Sequence, residues 1–143
     1  RWIGIRPERR APMQEIDNIE VSVEHGLAGD HYGKNGGNRQ VTLIQAEHLE
    51  AVAKMLQLQA IDPADTRRNI VVSGINLQAF NERQFEIGEV VLEMTGICHP
   101  CSRFEESLGP GGYNAMRGHG GITAKVIQGG MIKKGDVVKL KTV

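Results

Sequence analysis

Apolar and polar positions alternate in short runs along most of this chain, and that rhythm predicts strands. Trp2 to Arg6 alternates, Ile19 to Glu24 alternates, and Val41-Thr42-Leu43-Ile44 is short and rich in β-branched residues. The signal returns at Asn69 to Gly74, Glu89 to Thr95, Thr123 to Ile127 and Val137 to Leu140. Glycines stand near the ends of these runs, at Gly29, Gly74, Gly88, Gly96, Gly129, Gly130 and Gly135, where the chain is expected to turn. Many short strands predict a mainly β fold with a closed or nearly closed sheet.

Helical spacing is well developed once. Between Gln45 and Gln57 the residues Leu49, Val52, Ala53 and Leu56 recur at helical intervals, with Glu47, Glu50 and Lys54 elsewhere around the turn. The polar end of this helix leads into Asp62-Pro63. A second, shorter helix is expected over Arg103 to Leu108, before the breaker Gly109-Pro110-Gly111-Gly112. The glycine-rich stretch from Gly109 to Gly121 reads as a mobile loop beside the cysteines, and no internal repeat is present.

Composition narrows the class. A chain of 143 residues with 40% apolar content supports one domain, residues 1–143, and is short for two. Seventeen basic residues balance seventeen acidic ones, so no global field draws the protein to nucleic acid or to an anionic membrane, and any anion site must be local. No apolar run approaches the length of a membrane span, and Arg1 to Pro7 lacks the hydrophobic block of a signal peptide. A cytoplasmic protein is the expectation.

The chemistry concentrates where the two cysteines lie, in Gly96-Ile97-Cys98-His99-Pro100-Cys101-Ser102-Arg103, directly after a predicted strand. A thiolate is a strong nucleophile and a soft metal ligand, and a strand-end loop presents it without burying it. Cysteines three apart close only a very small loop, a poor staple for this size of domain, so both are expected as thiols. A structural zinc site would need His31, His99 or His119 to complete its ligands, and a thioredoxin-like pair would need a βαβ context that is missing. A packed, inert Cys98 with an exposed, reactive Cys101 is the favoured arrangement.

Two further segments carry polar groups in telling order. Gly26-Leu27-Ala28-Gly29-Asp30-His31, followed by Gly36-Gly37-Asn38-Arg39-Gln40, combines close-approach glycines with a forked cation, an acceptor and a titratable ring, as an anion loop would. The alternative is that these glycines only make turns. In Arg67-Arg68-Asn69 an extended chain would put Arg67 and Asn69 on one side, able to grip a phosphate, with Arg68 facing water. Two adjacent arginines also suit a plain solvated corner.

The order of Gly26 to His31, Arg39 to Ile44, Arg67 to Ile70, Gly74 to Leu77, Cys98 to Cys101 and Gly129 to Asp136 resembles the MOSC domain, the C-terminal domain of molybdenum cofactor sulfurases. The resemblance runs from about Gly4 to Leu140 and suits the small stand-alone bacterial type. It implies a closed β-barrel like the pyruvate kinase barrel domain, with one or two covering helices. It also implies that Cys101 is the thiolate ligand of molybdenum, that Arg67 and Asn69 bind the pyranopterin phosphate, and that Asn38 and Arg39 make further cofactor contacts. His99 would sit beside the metal, with Asp30 or His31 moving protons. Pyridoxal phosphate is not expected, because in the fused sulfurases it belongs to a domain for which this chain has no room.

Three functions are compatible with these residues. The first is a molybdenum-cofactor enzyme reducing N-hydroxylated small molecules by oxo transfer, with electrons from a separate reductase. The second is a sulfur carrier in which Cys101 takes sulfane sulfur from a cysteine desulfurase and passes it to a metal–sulfur cluster or cofactor. The third is a non-enzymatic barrel that binds a partner or a structural zinc.

Overall fold

Alternation in the sequence becomes two-faced strands in space. The computed structural model describes residues 2–5, 13–30, 40–80, 83–98 and 108–140, and among these it carries eleven strands and three α-helices. Seven strands match the predicted runs: β1 (Trp2–Ile5), β3 (Asn18–Ser22), β5 (Val41–Gln45), β6 (Ile70–Val72), β8 (Val90–Ile97), β9 (Ile122–Gln128) and β11 (Val138–Leu140). Four others are β2 (Gln14–Glu15), β4 (Gly26–Leu27), β7 (Gln84–Ile87) and β10 (Gly130–Lys133). The well-signalled helix is α1 (Ala46–Met55), and two short ones come after it, α2 (Pro63–Thr66) and α3 (Gly112–Met116).

Eight strands hydrogen-bond in the order β11-β7-β8-β9-β5-β6-β1-β2, and three in the order β10-β3-β4. Among the described strands only β5 and β6 pair in parallel, as their connection through α1 and α2 requires. The closed barrel expected from the sequence is not formed among the described residues: β11 and β2 remain edges of the larger sheet. The chain leaves the large sheet where β9 passes into β10. A Cβ on Gly129 would stand 2.5 Å from the Val21 carbonyl oxygen, and Gly130 has φ +156, so two glycines turn the chain out of the large sheet and onto β3. The two sheets then enclose one core, joined by the buried Gln40, whose Nε2 donates to Val23 O at 2.7 Å and whose Oε1 accepts from Val126 N at 2.8 Å.

The period of two decides what each strand buries. Ile3, Leu43, Ile70, Val72, Leu92 and Ile122 face the inter-sheet core, together with Ile19, Val21, Leu27 and Ile132 of the small sheet. Their neighbours Trp2, Ile44 and Val71 point the other way and meet Leu49, Val52 and Ala53 of α1 and Met116 of α3. Each side chain buried in these layers contributes about 1.5–3 kcal/mol. The helix is thus a cover for one face of the large sheet, as its apolar stripe predicts.

The segment from Gly109 to Gly121 is not the open loop expected of its glycines. It contains α3, buries Met116 fully, and ends in Gly120 and Gly121, both buried. A Cβ on Gly120 would fall 2.1 Å from Cys98 O, and one on Gly121 would fall 2.0 Å from Leu43 O. These glycines serve close packing of backbone on backbone. The helix expected over Arg103 to Leu108 lies outside the described residues except for Leu108.

Candidate functional site

The strand that leads to the cysteines is irregular just before it ends. Along β8 and β9 the register runs Met94↔Ala124 and then Gly96↔Thr123, leaving Thr95 as an extra residue whose Oγ1 lies 2.9 Å from Thr123 Oγ1. Such a bulge bends a strand and redirects the chain beyond it. Cys98 is then 3% exposed, a free thiol, and its backbone N–H donates to Gly121 O at 2.8 Å. Its burial is the part of the predicted arrangement that concerns Cys98 packing.

The second strand entering this region is β6, and a helical turn precedes it. Asp62 caps α2 by accepting from Ala64 N at 3.0 Å, Pro63 occupies the first turn, and Arg67 ends the helix in the left-handed region at φ 61, ψ 21. The extended geometry that would pair Arg67 with Asn69 is therefore absent. Arg68, expected to face water, is 7% exposed: its Nε donates to Gly120 O at 2.6 Å and its Nη1 to Thr66 O at 3.3 Å. This corrects the sequence reading, and its cause is the left-handed residue, which resets the alternation by one position. Arg67 is half-buried.

Asn69 is 6% exposed and its side chain spans two strands. Its Oδ1 accepts from Thr42 N and from Thr42 Oγ1, both at 3.0 Å, and its Nδ2 donates to Gly4 O at 3.2 Å. The carboxamide thus fixes the start of β6 between β5 and β1. Asp30 comes after the β3–β4 hairpin, is 4% exposed, and donates its backbone N–H to Leu27 O at 3.1 Å. It stands near the end of β1, since its neighbour Gly29 faces Ile5. Asp30 and Asn69 therefore border one end of β1, whereas Arg68 reaches toward Cys98. His31, Asn38, Arg39, His99 and Cys101 lie outside the described residues.

A histidine pair, not predicted as such, adjoins this junction. The rings of His48 on α1 and His119 meet edge to face, with centroids 4.9 Å apart and planes at 89°. Both Nδ1 atoms are shielded from solvent and make no hydrogen bond to protein. Burial, and next the neighbouring His119, hold His48 below its usual 6.5, with Glu47 opposing them. Among the described residues no three His, Cys, Asp or Glu side chains come together as a metal site, and no helix is long and apolar enough to cross a membrane.

The signal for Arg68 was present in the sequence. Asp62-Pro63 is an N-cap followed by a first-turn proline, so a helical turn, not an extended run, leads into Arg67. For Gly120, no local pattern distinguishes a glycine that packs from one that flexes.

Several solved structures share this fold at low identity. The YuaD protein from Bacillus subtilis superposes with a TM-score of 0.84 at 17% identity, covering 99% of this chain and 94% of that one. YiiM from Geobacillus stearothermophilus gives 0.77 at 14% identity, covering 99% and 73%. YiiM from Escherichia coli gives 0.72 at 19% identity, covering 91% and 65%. No functionally curated protein matches the sequence. The sequence pattern of the MOSC domain matches residues 28–139, most of the chain, and the protein belongs to the MOSC domain family.

Proposed function

We propose that this chain binds molybdenum cofactor, with the Cys101 thiolate on the metal, and reduces N-hydroxylated small molecules. One observation carries the reading: in a MOSC fold, the buried cation Arg68 and the strand end leading to Cys101 meet at Gly120. Two adjacent cations, half-buried Arg67 and Arg68 anchored on Gly120 next to Cys98, suit an anionic pterin ligand on charge. Asn69 suits it less well, because its carboxamide is engaged with Thr42 and Gly4. In this reading Arg67 holds the phosphate, Asn38 and Arg39 add contacts, and Asn69 fixes the start of β6 directly after the two arginines.

Reduction of an N–OH group takes two electrons and two protons and releases water. When bound, the cofactor supplies the metal that accepts the oxygen atom, and a separate reductase supplies the electrons. The chain contributes a soft thiolate at Cys101, His99 to orient it, and Asp30 or His31 to hold the proton that the departing oxygen needs. The test is metal and pterin analysis of protein made in a host that synthesises molybdenum cofactor. Near-stoichiometric molybdenum with a pterin signal, lost in Cys101→Ala, is expected. Absence of molybdenum from the wild type would sink the reading.

Sulfur transfer is the second reading, favoured by the same buried guanidinium, since a cation at the base of a cysteine loop favours thiolate over thiol. Here Cys101 accepts sulfane sulfur from a cysteine desulfurase and passes it on for metal–sulfur cluster or cofactor assembly. It requires a one-sulfur mass increment on Cys101 after incubation with a desulfurase and cysteine, in metal-free protein.

A further inference from the structure

We infer that the pocket between α1 and the sheet face it covers binds a free amino acid with a large apolar side chain. Lys54 receives its carboxylate and Glu50 its ammonium. This goes beyond the proposed function and does not rest on it, since neither Arg67, Arg68, Asn69, Cys98 nor Gly120 lines the pocket.

The pocket follows from how α1 is built and how it ends. Its buried side carries alanine at position 46 and again, about two turns on, at position 53. Small side chains there leave a gap against Trp2 and Val71 of the sheet, both buried. The remaining wall comes from the chain after the helix. Gln57 is left-handed at φ 59, and both bonds of a Schellman end are made: Gln57 N donates to Lys54 O at 3.2 Å, and Leu58 N donates to Ala53 O at 2.9 Å. That turn brings Leu58 and Ile61 round the end of the helix to line the gap. The space enclosed is about 390 Å³, within the range of about 300–1,000 Å³ in which small-molecule sites fall.

Two opposite charges belong to the same lining. Glu50 and Lys54 are exposed and stand one turn apart on α1, the spacing at which opposite charges pair. Among the described residues neither makes an ion pair or a side-chain hydrogen bond. Apolar walls with one free anion and one free cation at the rim match a molecule that is apolar at one end and zwitterionic at the other. A fatty acid would meet Glu50 with a like charge, a simple amine would meet Lys54 with one, and a hydrocarbon would use neither. Trp2 favours an aromatic body, because paired rings add to what burial of area supplies.

Phenylalanine is the probe, titrated into the whole metal-free chain with the fluorescence of Trp2, the one tryptophan, as the reporter. A saturable change is expected, with affinity about fivefold weaker for 3-phenylpropionate, which lacks the ammonium, and for 2-phenylethylamine, which lacks the carboxylate. Glycine, with no side chain to bury, should not saturate. Glu50→Gln and Lys54→Gln alter exposed side chains and should fold as the wild type does. In Lys54→Gln phenylalanine is expected to bind no more tightly than 2-phenylethylamine, and in Glu50→Gln no more tightly than 3-phenylpropionate. Ala53→Leu fills the gap and should abolish binding; where it does not fold, the two charge variants decide. No saturation by about 10 mM phenylalanine overturns the proposal, as does equal affinity for the three phenyl compounds. A Trp2 signal that moves with protein concentration and not with phenylalanine assigns the pocket to a second copy of the chain and overturns it too. Absence of molybdenum from the protein would sink the cofactor reading and leave these results untouched.

Discussion

Gly121→Ala should be among the most destabilising single-methyl additions in this protein. At φ +87 an alanine carries the left-handed penalty, about 1 kcal/mol. Its Cβ would also lie 2.0 Å from Leu43 O, 2.9 Å from Leu43 C and 3.1 Å from Ile44 Cα. All three are backbone atoms of β5, the strand between β9 and β6, and the side chains of Leu43 and Ile44 are wholly buried on opposite faces. Relief needs a movement of more than 1 Å in the middle of two cores, and overpacking of that kind costs about 1–3 kcal/mol. The sum is about 2–4 kcal/mol. Gly135 supplies the comparison, because it has φ +99 with nothing within 4 Å, so Gly135→Ala should cost only about 1 kcal/mol. Urea denaturation monitored by the fluorescence of Trp2, the one tryptophan, measures both. At about 3–4 °C per kcal/mol for a chain of this length, the expected fall in Tm is about 6–16 °C for Gly121→Ala. Equal losses in the two variants would refute the claim that Gly121 is required for close approach and not for φ alone.

Asn69→Ala should lower the stability of cofactor-free protein by about 2–4 kcal/mol, because Thr42 N–H and Gly4 O lose a buried partner; a wild-type urea midpoint would show that its carboxamide is not structural. Gln40→Leu, similar in size, should cost a comparable amount by leaving Val23 O and Val126 N unpaired between the two sheets, with unchanged stability in denaturant titration as the opposing result. For His48 the folded state resists protonation, so the unfolded chain binds more protons below 6.5; stability is then full above that pH and falls as the pH drops from about 6.5 to the lowered folded value. His48→Gln should flatten that part of the stability profile, and an unchanged slope in thermal melts across the window would count against the assignment.

What the sequence disclosed was periodicity. Seven strands and α1 were legible because each buries apolar residues at a fixed interval on a defined face, and the pattern survives any detail of packing. The strands that escaped notice carry little such signal. β2 and β4 have two residues each, and β10 begins at a glycine with φ +156. β7, Gln84–Ile87, alternates over only four residues. Barrel closure was overestimated for a related reason: strand number is local information, whereas closure depends on which edges meet. The pair Gly129-Gly130 reads equally well as a turn within one sheet or a transfer between two.

The geometry of the candidate site around residues 67–69 differs from the one its residue types suggested. Arg67 and Asn69 were singled out as a gripping pair with Arg68 facing water, yet a left-handed residue at 67 turns Arg68 inward. Likewise the glycines before β9 suggested movement, whereas Gly120 and Gly121 sit where two backbones nearly touch. Both cases have one physical origin. Sequence patterns report side-chain preferences along a single element, and this site is assembled by main-chain atoms of different elements: the carbonyls of Gly120, Gly121, Thr66 and Gly4, and the amides of Cys98 and Thr42. Any residue type can offer those groups, so no composition marks them in advance. The same fact explains why the few side chains that do reach them, Arg68 and Asn69, are buried polar groups with several partners each. They convert a meeting of backbones into a fixed platform, and the chain that carries Cys101 departs from it.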